Sequence, residues 1–394
     1  MNKEGLSRRM TAHYAVIQVV LNSACAVIFG YSSVYLRAQG LKDSQIGIVL
    51  AMGTLINIIS QPFMGSLADR ARKLSLNRLI ALFYLLAMAV ALVLVPGFVP
   101  MGVAAGLFVV LNFSLCISET FTSSLAMEQV NRGINLNFGL ARGIGAAGYA
   151  IASLLLGKVV AQKGEGAIMP FLVFFCVLCI LVLLPFGRGV RKEEATEKKA
   201  LNLLGFIREN RQFCLFVAGV ALMYFCFSVR GNYMYQIVLA VGGDVAQYGT
   251  ITAFTAFVEL PAMASYPMLS KRFKARSILL FAAGCFVVRS VIIGLAPNMF
   301  WIYVSQSMQM ISYALFVPAS VYYVNEMIGE NNRNKGQTFL GMGTSVSSIC
   351  AAIFGGMMLT AAGGNPQKML LTSAAVSTLG VALMWFVMPK EKEQ

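Results

Sequence analysis

Apolar residues gather in twelve long stretches, near positions 13–36, 45–67, 77–95, 102–127, 138–161, 168–186, 212–240, 246–270, 277–296, 299–327, 336–362 and 367–388. Each is about the length a helix needs to cross a hydrocarbon core of roughly 30 Å, since about 20 residues at 1.5 Å rise span it. Short polar loops separate them, except at 187–211, where a longer charged segment has six stretches on either side. The pattern predicts an all-α membrane protein of twelve transmembrane helices. It divides into an N-terminal six-helix half (1–186), a cytoplasmic linker (187–211) and a C-terminal six-helix half (212–394), with no soluble domain left over.

Composition agrees: 58% of residues are hydrophobic and 12% charged, a surface that lipid solvates and water does not. The net charge of +15 comes from 31 basic against 16 acidic residues. Most of the basic ones fall in alternate loops, such as Arg70, Arg72, Lys73 and Arg78, or Lys271, Arg272, Lys274 and Arg276. Few fall in the others, where Arg37, Lys42, Lys158, Lys163 and Lys368 stand. The positive-inside rule therefore puts both termini in the cytoplasm of a multi-pass protein, expected in a bacterial cytoplasmic membrane. Charge scattered through short loops reports topology and builds no nucleic-acid face. The first apolar run is too long for a signal-peptide core and should remain as a helix. All eight cysteines lie in or beside apolar stretches, so even the Cys176 and Cys179 pair reads as packing. A single histidine, His13, rules out a histidine-rich metal site. No nucleotide-binding loop or catalytic triad pattern occurs. The expectation is a non-enzyme with no cofactor and no metal, which as a monomer in the bilayer handles a small-molecule substrate.

The halves repeat one another. Sliding the chain by 202 positions lays Tyr31 on Tyr233, Gly40 on Gly242, Gly47 on Gly249 and Asn57 on Glu259. The loop from Gly65 through Asp69 and Arg70 to Lys73 has a weaker echo around Ser270, Lys271 and Arg272. Two such halves joined by a basic loop resemble the major facilitator superfamily, and the Gly-x-x-x-Asp-Arg pattern is similar to its loop signature. It departs at Ala71-Arg72, where a second glycine is usual. Three stretches are closer to the lactose permease and its oligosaccharide–proton symporter relatives. They are Ile46 to Asp69, Asn137 to Tyr149, and Glu259 followed by Arg289; the last also resembles the phenylpropionate permeases.

Ionisable residues inside the membrane cost roughly 2.5–3.5 kcal/mol each on insertion scales, so they persist where they pair or line a cavity. Glu119, Arg142, Arg230, Glu259 and Arg289 lie at such depth. By helical spacing Asn112, Glu119 and Ser123 share one face, Arg142 and Tyr149 another, Thr252, Thr255 and Glu259 a third, and Ser305, Gln309 and Ser312 a fourth. These stripes read as the lining of one polar cavity. Hydrogen-bonded glue between helices is the plainer reading for the Ser and Thr members. The charges sum to one excess cation, which keeps an acidic substrate open.

The resemblance implies that Arg142 and Glu259 bind substrate and that Tyr149 stacks on a sugar ring. Gln309 and Ser312 occupy the family's histidine and proton-carrying glutamate positions and do not titrate, so proton coupling falls to Glu259, with Arg289, or to Glu119. The sequence-based expectation is thus a secondary active transporter with alternating access, importing a sugar or oligosaccharide by symport with protons. Its binding residues are Arg142, Tyr149, Glu119, Glu259, Gln309, Asn57 and Arg230, and its conformational gate is Gly65, Asp69, Arg70 and Lys73. Rival readings are a permease for an aromatic or other organic anion, and a multidrug exporter.

Overall fold

The structure is a computed structural model of the 394-residue chain; it describes residues 3–70, 75–186, 208–328 and 333–388, and within these the side chains of 3, 4, 61–70, 260, 263, 264, 267, 333 and 334 are not described. Every regular element among the described residues is helical. In order they are α1 (Lys3–Cys25), α2 (Ser32–Ala38), α3 (Asp43–Arg70), α4 (Leu76–Leu94), α5 (Met101–Asn131), α6 (Phe138–Lys163), α7 (Ile168–Leu183), α8 (Arg211–Ala240) and α9 (Val245–Leu269). α10 (Ala275–Gly294), α11 (Met299–Ser307), α12 (Tyr313–Ile328), α13 (Arg333–Ala361) and α14 (Pro366–Val387) follow.

Among the described residues, ten helical stretches are long and apolar enough to cross a membrane. The two remaining sequence stretches correspond to α9 and to α11 with α12. Local chemistry sets several boundaries. The Asn137 side chain accepts from the Leu140 amide at 3.0 Å and caps α6, whose far end stops at Gly164 with φ +80°. Asn365 accepts from the Gln367 amide at 2.9 Å, with Pro366 opening α14.

Three expected continuous helices are interrupted. The first runs as α1, a π-helical turn at Ala26–Gly30 and then α2. α8 carries a kink at Tyr233, where φ is −119° and ψ 18°. The tenth stretch is divided by a 3-10 turn at Met308–Met310. Hydrophobic periodicity reports the apolar length of a run and is blind to such breaks.

The chain forms two compact units: Met1–Lys42 with Met52–Ala195 and Asp244–Ala256, and Asp43–Ala51 with Thr196–Gly243 and Phe257–Gln394. In unit 1, α6 lies along α1, and α4 packs on α5 and α7. A Cβ on Gly145 would meet Asn22 Nδ2 at 2.8 Å and one on Gly148 would meet the Val19 carbonyl at 2.9 Å, so these two glycines set the α1–α6 approach. Gly139 and Gly143 of the same helix face open space. In unit 2, α8 packs on α13 and α14, and α10 on α12 and α14. There Gly219 and Gly380 bring α8 and α14 together, a Cβ on Gly380 falling 2.6 Å from the Gly219 carbonyl.

Both units are polar in places inside and apolar outside. Gln129, Ser118, Gln306 and Arg289 are buried while Leu181, Phe174, Phe281 and Phe386 are exposed, the distribution that a hydrocarbon solvent favours.

The 202-residue repeat has a structural counterpart. In unit 1 the Tyr31 hydroxyl donates to the Ser153 carbonyl at 2.6 Å, in a slot left by Gly157 and Gly249, where added Cβ atoms would lie 2.8 and 2.6 Å from that hydroxyl. In unit 2 the Tyr233 hydroxyl donates to the Ala352 carbonyl at 2.5 Å, in a slot left by Gly47 and Gly356, each placing a Cβ 2.6 Å from it. Each tyrosine sits at the break in its helix.

Candidate functional site

Among the described residues, polar side chains gather on the apolar helices of both units. In unit 1, α5 presents Glu119 and α6 presents Arg142; both are exposed despite the apolar sequence around them, and the charge of Arg142 acts on Glu119. Arg142 is also near Tyr14, whose hydroxyl accepts from Gln18 Nε2 at 2.7 Å and donates to the Thr122 carbonyl at 3.1 Å. On α3, Asn57 Nδ2 donates to Asn112 Oδ1 of α5 at 2.8 Å, and Gly53 leaves room for the Asn112 side chain. Asn57 Oδ1 is buried and has no hydrogen-bond partner among the described residues, which leaves an acceptor in reserve. Tyr149 is half-buried two turns from Arg142. Its hydroxyl lies 3.1 Å from where a Gly30 Cβ would stand, at the end of the π-helical turn.

The cluster in unit 2 is a connected network. Gln309 Nε2 donates to a carboxylate oxygen of Glu259, and Gln309 Oε1 accepts from Arg289 Nη1. An amide between a carboxylate and a guanidinium must point its nitrogen at the one and its oxygen at the other, so the network fixes the amide's orientation. Arg289 Nη2 donates to Gln306 Oε1, and Nη1 also reaches Ser312 Oγ at 3.4 Å. Arg289, Gln306, Gln309 and Ser312 are all buried. Ser305 Oγ donates to the Arg289 carbonyl at 3.1 Å, tying α11 to α10. Glu259 is half-buried and is linked to Arg289 through Gln309.

The helix break explains how one segment serves one guanidinium from several sides. A 3-10 turn at 308–310 followed by a fresh helix at Tyr313 swings Gln306, Gln309 and Ser312 onto Arg289 together. In membrane proteins, irregular backbone of this kind is tolerated where it is enclosed by protein or faces a cavity.

Arg230 on α8 lies beside this network, its Cζ 5.5 Å from the Phe227 ring centroid. Phe227 stacks on Tyr313 at 4.7 Å with the planes 3° apart, and Tyr224 lies 4.8 Å from Phe227.

The sequence-based candidates thus sort by unit. Glu119, Arg142, Asn57 and Tyr149 belong to unit 1; Glu259, Gln309, Arg289 and Arg230 belong to unit 2. Thr252 and Thr255, placed on the Glu259 stripe, donate to the Tyr248 and Ile251 carbonyls of their own helix and belong to unit 1. The expected gate falls outside the description: Lys73 is not among the described residues, nor are the side chains at Gly65, Asp69 and Arg70. Gln306 was not a candidate. Its spacing of three from Gln309, in the same apolar run, is the sequence signal that places both on one helix face. No group of three His, Cys, Asp or Glu that could hold a metal occurs among the described residues.

The model of the MFS_1 like family matches residues 12–367. A maltose permease of Geobacillus stearothermophilus is 24% identical over 374 residues, covering 91% of this chain and 89% of that protein. A probable 3-phenylpropionic acid transporter of Escherichia coli (strain K12) is 26% identical over 309 residues, covering 76% and 78%. Among solved structures, the nucleoside transporter NupG superposes with a TM-score of 0.84 at 14% identity, over 97% of this chain and all of that one, which shows a shared fold.

Proposed function

The chain belongs to the MFS_1 like family of major facilitator transporters, and from that premise we propose that it imports a small hydroxyl-rich solute, a sugar or short oligosaccharide, by symport with protons. It is a transporter rather than an enzyme, and its many apolar helices make it a multi-pass membrane protein.

The link from Glu259 through Gln309 to Arg289 is the observation that carries the reading. A carboxylate in direct contact with a guanidinium is held ionised by its partner and gives up that state at high cost. Here a neutral amide separates them, so Glu259 can take a proton without stripping Arg289 of its own acceptors. A protonated carboxyl still accepts from Gln309 but more weakly, and it gains a donor of its own. Proton uptake thereby alters a network anchored on α9, α10 and the broken α11–α12 segment, which is what a coupling group has to do.

In unit 1, Arg142 offers paired donors, Glu119 and the spare Asn57 oxygen offer acceptors, and Tyr149 offers a ring face. Sugars present alternating hydroxyls around an apolar C–H face, so these residue types suit them. The relative named a maltose permease supports this solute class.

Replacing the carboxylate at the coupling position tests the proposal. In proteoliposomes, Glu259→Gln should abolish accumulation against a gradient while preserving downhill exchange of preloaded sugar. Unchanged uphill accumulation driven by a pH difference would remove Glu259 from the coupling role.

A further inference from the structure

Arg230 differs from every other charged group described in unit 2. It is 2% exposed, yet neither terminal nitrogen of its guanidinium has a hydrogen-bond partner among the described residues. Arg289, equally buried, has its fork filled by Gln309, Gln306 and Ser312. Glu259 is committed to Gln309. Among the described residues, Arg230 and Arg289 are two buried guanidiniums near the half-buried carboxylate of Glu259, and the two like charges are close enough to repel.

A buried cation in that condition is expensive. Water could satisfy its N–H groups but leaves the charge unbalanced, whereas an anion answers both deficits. A carboxylate matches best, because its two oxygens meet the two terminal nitrogens in parallel. Phe227 stacks on Tyr313 and carries the guanidinium over its ring, with Tyr224 beside it, so the aromatic side chains hold the Arg230 head in place and give it no anion.

We propose that Arg230 is the docking point for a carboxylate carried by the transported solute. Resting on the proposed function, the solute is then a sugar acid whose carboxylate engages the Arg230 fork.

Matched pairs of acid and neutral analogue test this in the purified full-length protein by calorimetry and thermal denaturation. Glucuronate is set against glucose, galacturonate against galactose, and 3-phenylpropionate against 3-phenylpropanol. The expected result is that in at least one sugar pair the acid binds about tenfold tighter or more, a gap of about 1.4 kcal/mol. Arg230→Gln should erase that gap and, by removing an unpaired buried charge, raise the melting temperature of the ligand-free protein. Arg230→Lys keeps the charge without the fork and should weaken the acid about tenfold while sparing the neutral partner.

A neutral sugar that binds as tightly as its acid overturns the proposal, as does a gap that survives Arg230→Gln or a complete failure of the acids to bind. A fall in the ligand-free melting temperature on Arg230→Gln overturns it too, because Arg230 would then be paired within the fold. Arg230-dependent binding of 3-phenylpropionate with no binding of any sugar acid would sustain the carboxylate site and reject the sugar reading. Proton-driven uptake of a neutral sugar alone would do the reverse.

Discussion

Single side chains decide the chemistry, and Gln309 shows how much one neutral residue can hold. It accepts from Arg289 and donates to Glu259, so Gln309→Leu leaves a buried guanidinium short of an acceptor and a carboxylate short of a donor. Each unsatisfied group costs about 1–3 kcal/mol, more when charged, so the variant should melt well below the wild type in detergent and transport poorly. Gln309→Glu should retain more stability than Gln309→Leu, with a proton shared between the two carboxyls so that Arg289 keeps an acceptor and Glu259 a donor. A Gln309→Leu protein with unaltered melting would mean that the network contributes nothing. Arg142 gives a complementary case in unit 1. Arg142→Lys preserves charge and loses the paired donors, so solute affinity should fall about tenfold or more, roughly 1.4 kcal/mol, while thermal stability is kept. Wild-type affinity would remove Arg142 from the binding set. Charged residues in apolar runs were legible because their cost singles them out. Gln306, Tyr224 and Tyr313 were not, since a glutamine or tyrosine in a membrane helix has many uses and only the fold gathers these around two arginines.

At the level of helices, the sequence repeat and the structure meet in the two tyrosine slots. Tyr31 with Gly249, and Tyr233 with Gly47, are the positions that the 202-residue slide superposes, and in each case a tyrosine hydroxyl fills the space a missing side chain leaves. Gly249→Ala would set a methyl group 2.6 Å from the Tyr31 hydroxyl and 2.7 Å from the Ser153 carbonyl. Overpacking of that kind costs about 1–3 kcal/mol, so a lowered melting temperature is expected, with Gly356→Ala doing the same in unit 2. Gly139→Ala, facing open space, is the control and should leave melting unchanged. Equal effects at all three positions would contradict the slot. The interruptions of the first, seventh and tenth stretches escaped the sequence because a run's hydrophobicity is indifferent to a π turn or a lost backbone bond. Tyr31 and Tyr233 were visible as a repeated pair and silent as markers of broken helices.

For the molecule as a whole, the membrane character was readable from run length and charge distribution alone, since twenty apolar residues have few other uses and loop charges follow topology. The family followed from short patterns around Asp69, Arg142 and Glu259. The solute did not, because a guanidinium reads hydroxyls and carboxylates alike; the unfilled fork of Arg230 is what the proposed sugar acid rests on. The central claim is that transport is driven by protons through Glu259. Reconstituted vesicles loaded with buffer more alkaline inside than out, given radiolabelled sugars and sugar acids, test it most directly. The account predicts accumulation of one such solute above its outside concentration, abolished by a protonophore and by Glu259→Gln. Equal inside and outside concentrations whatever the pH difference, or accumulation that persists with a protonophore present, would contradict it.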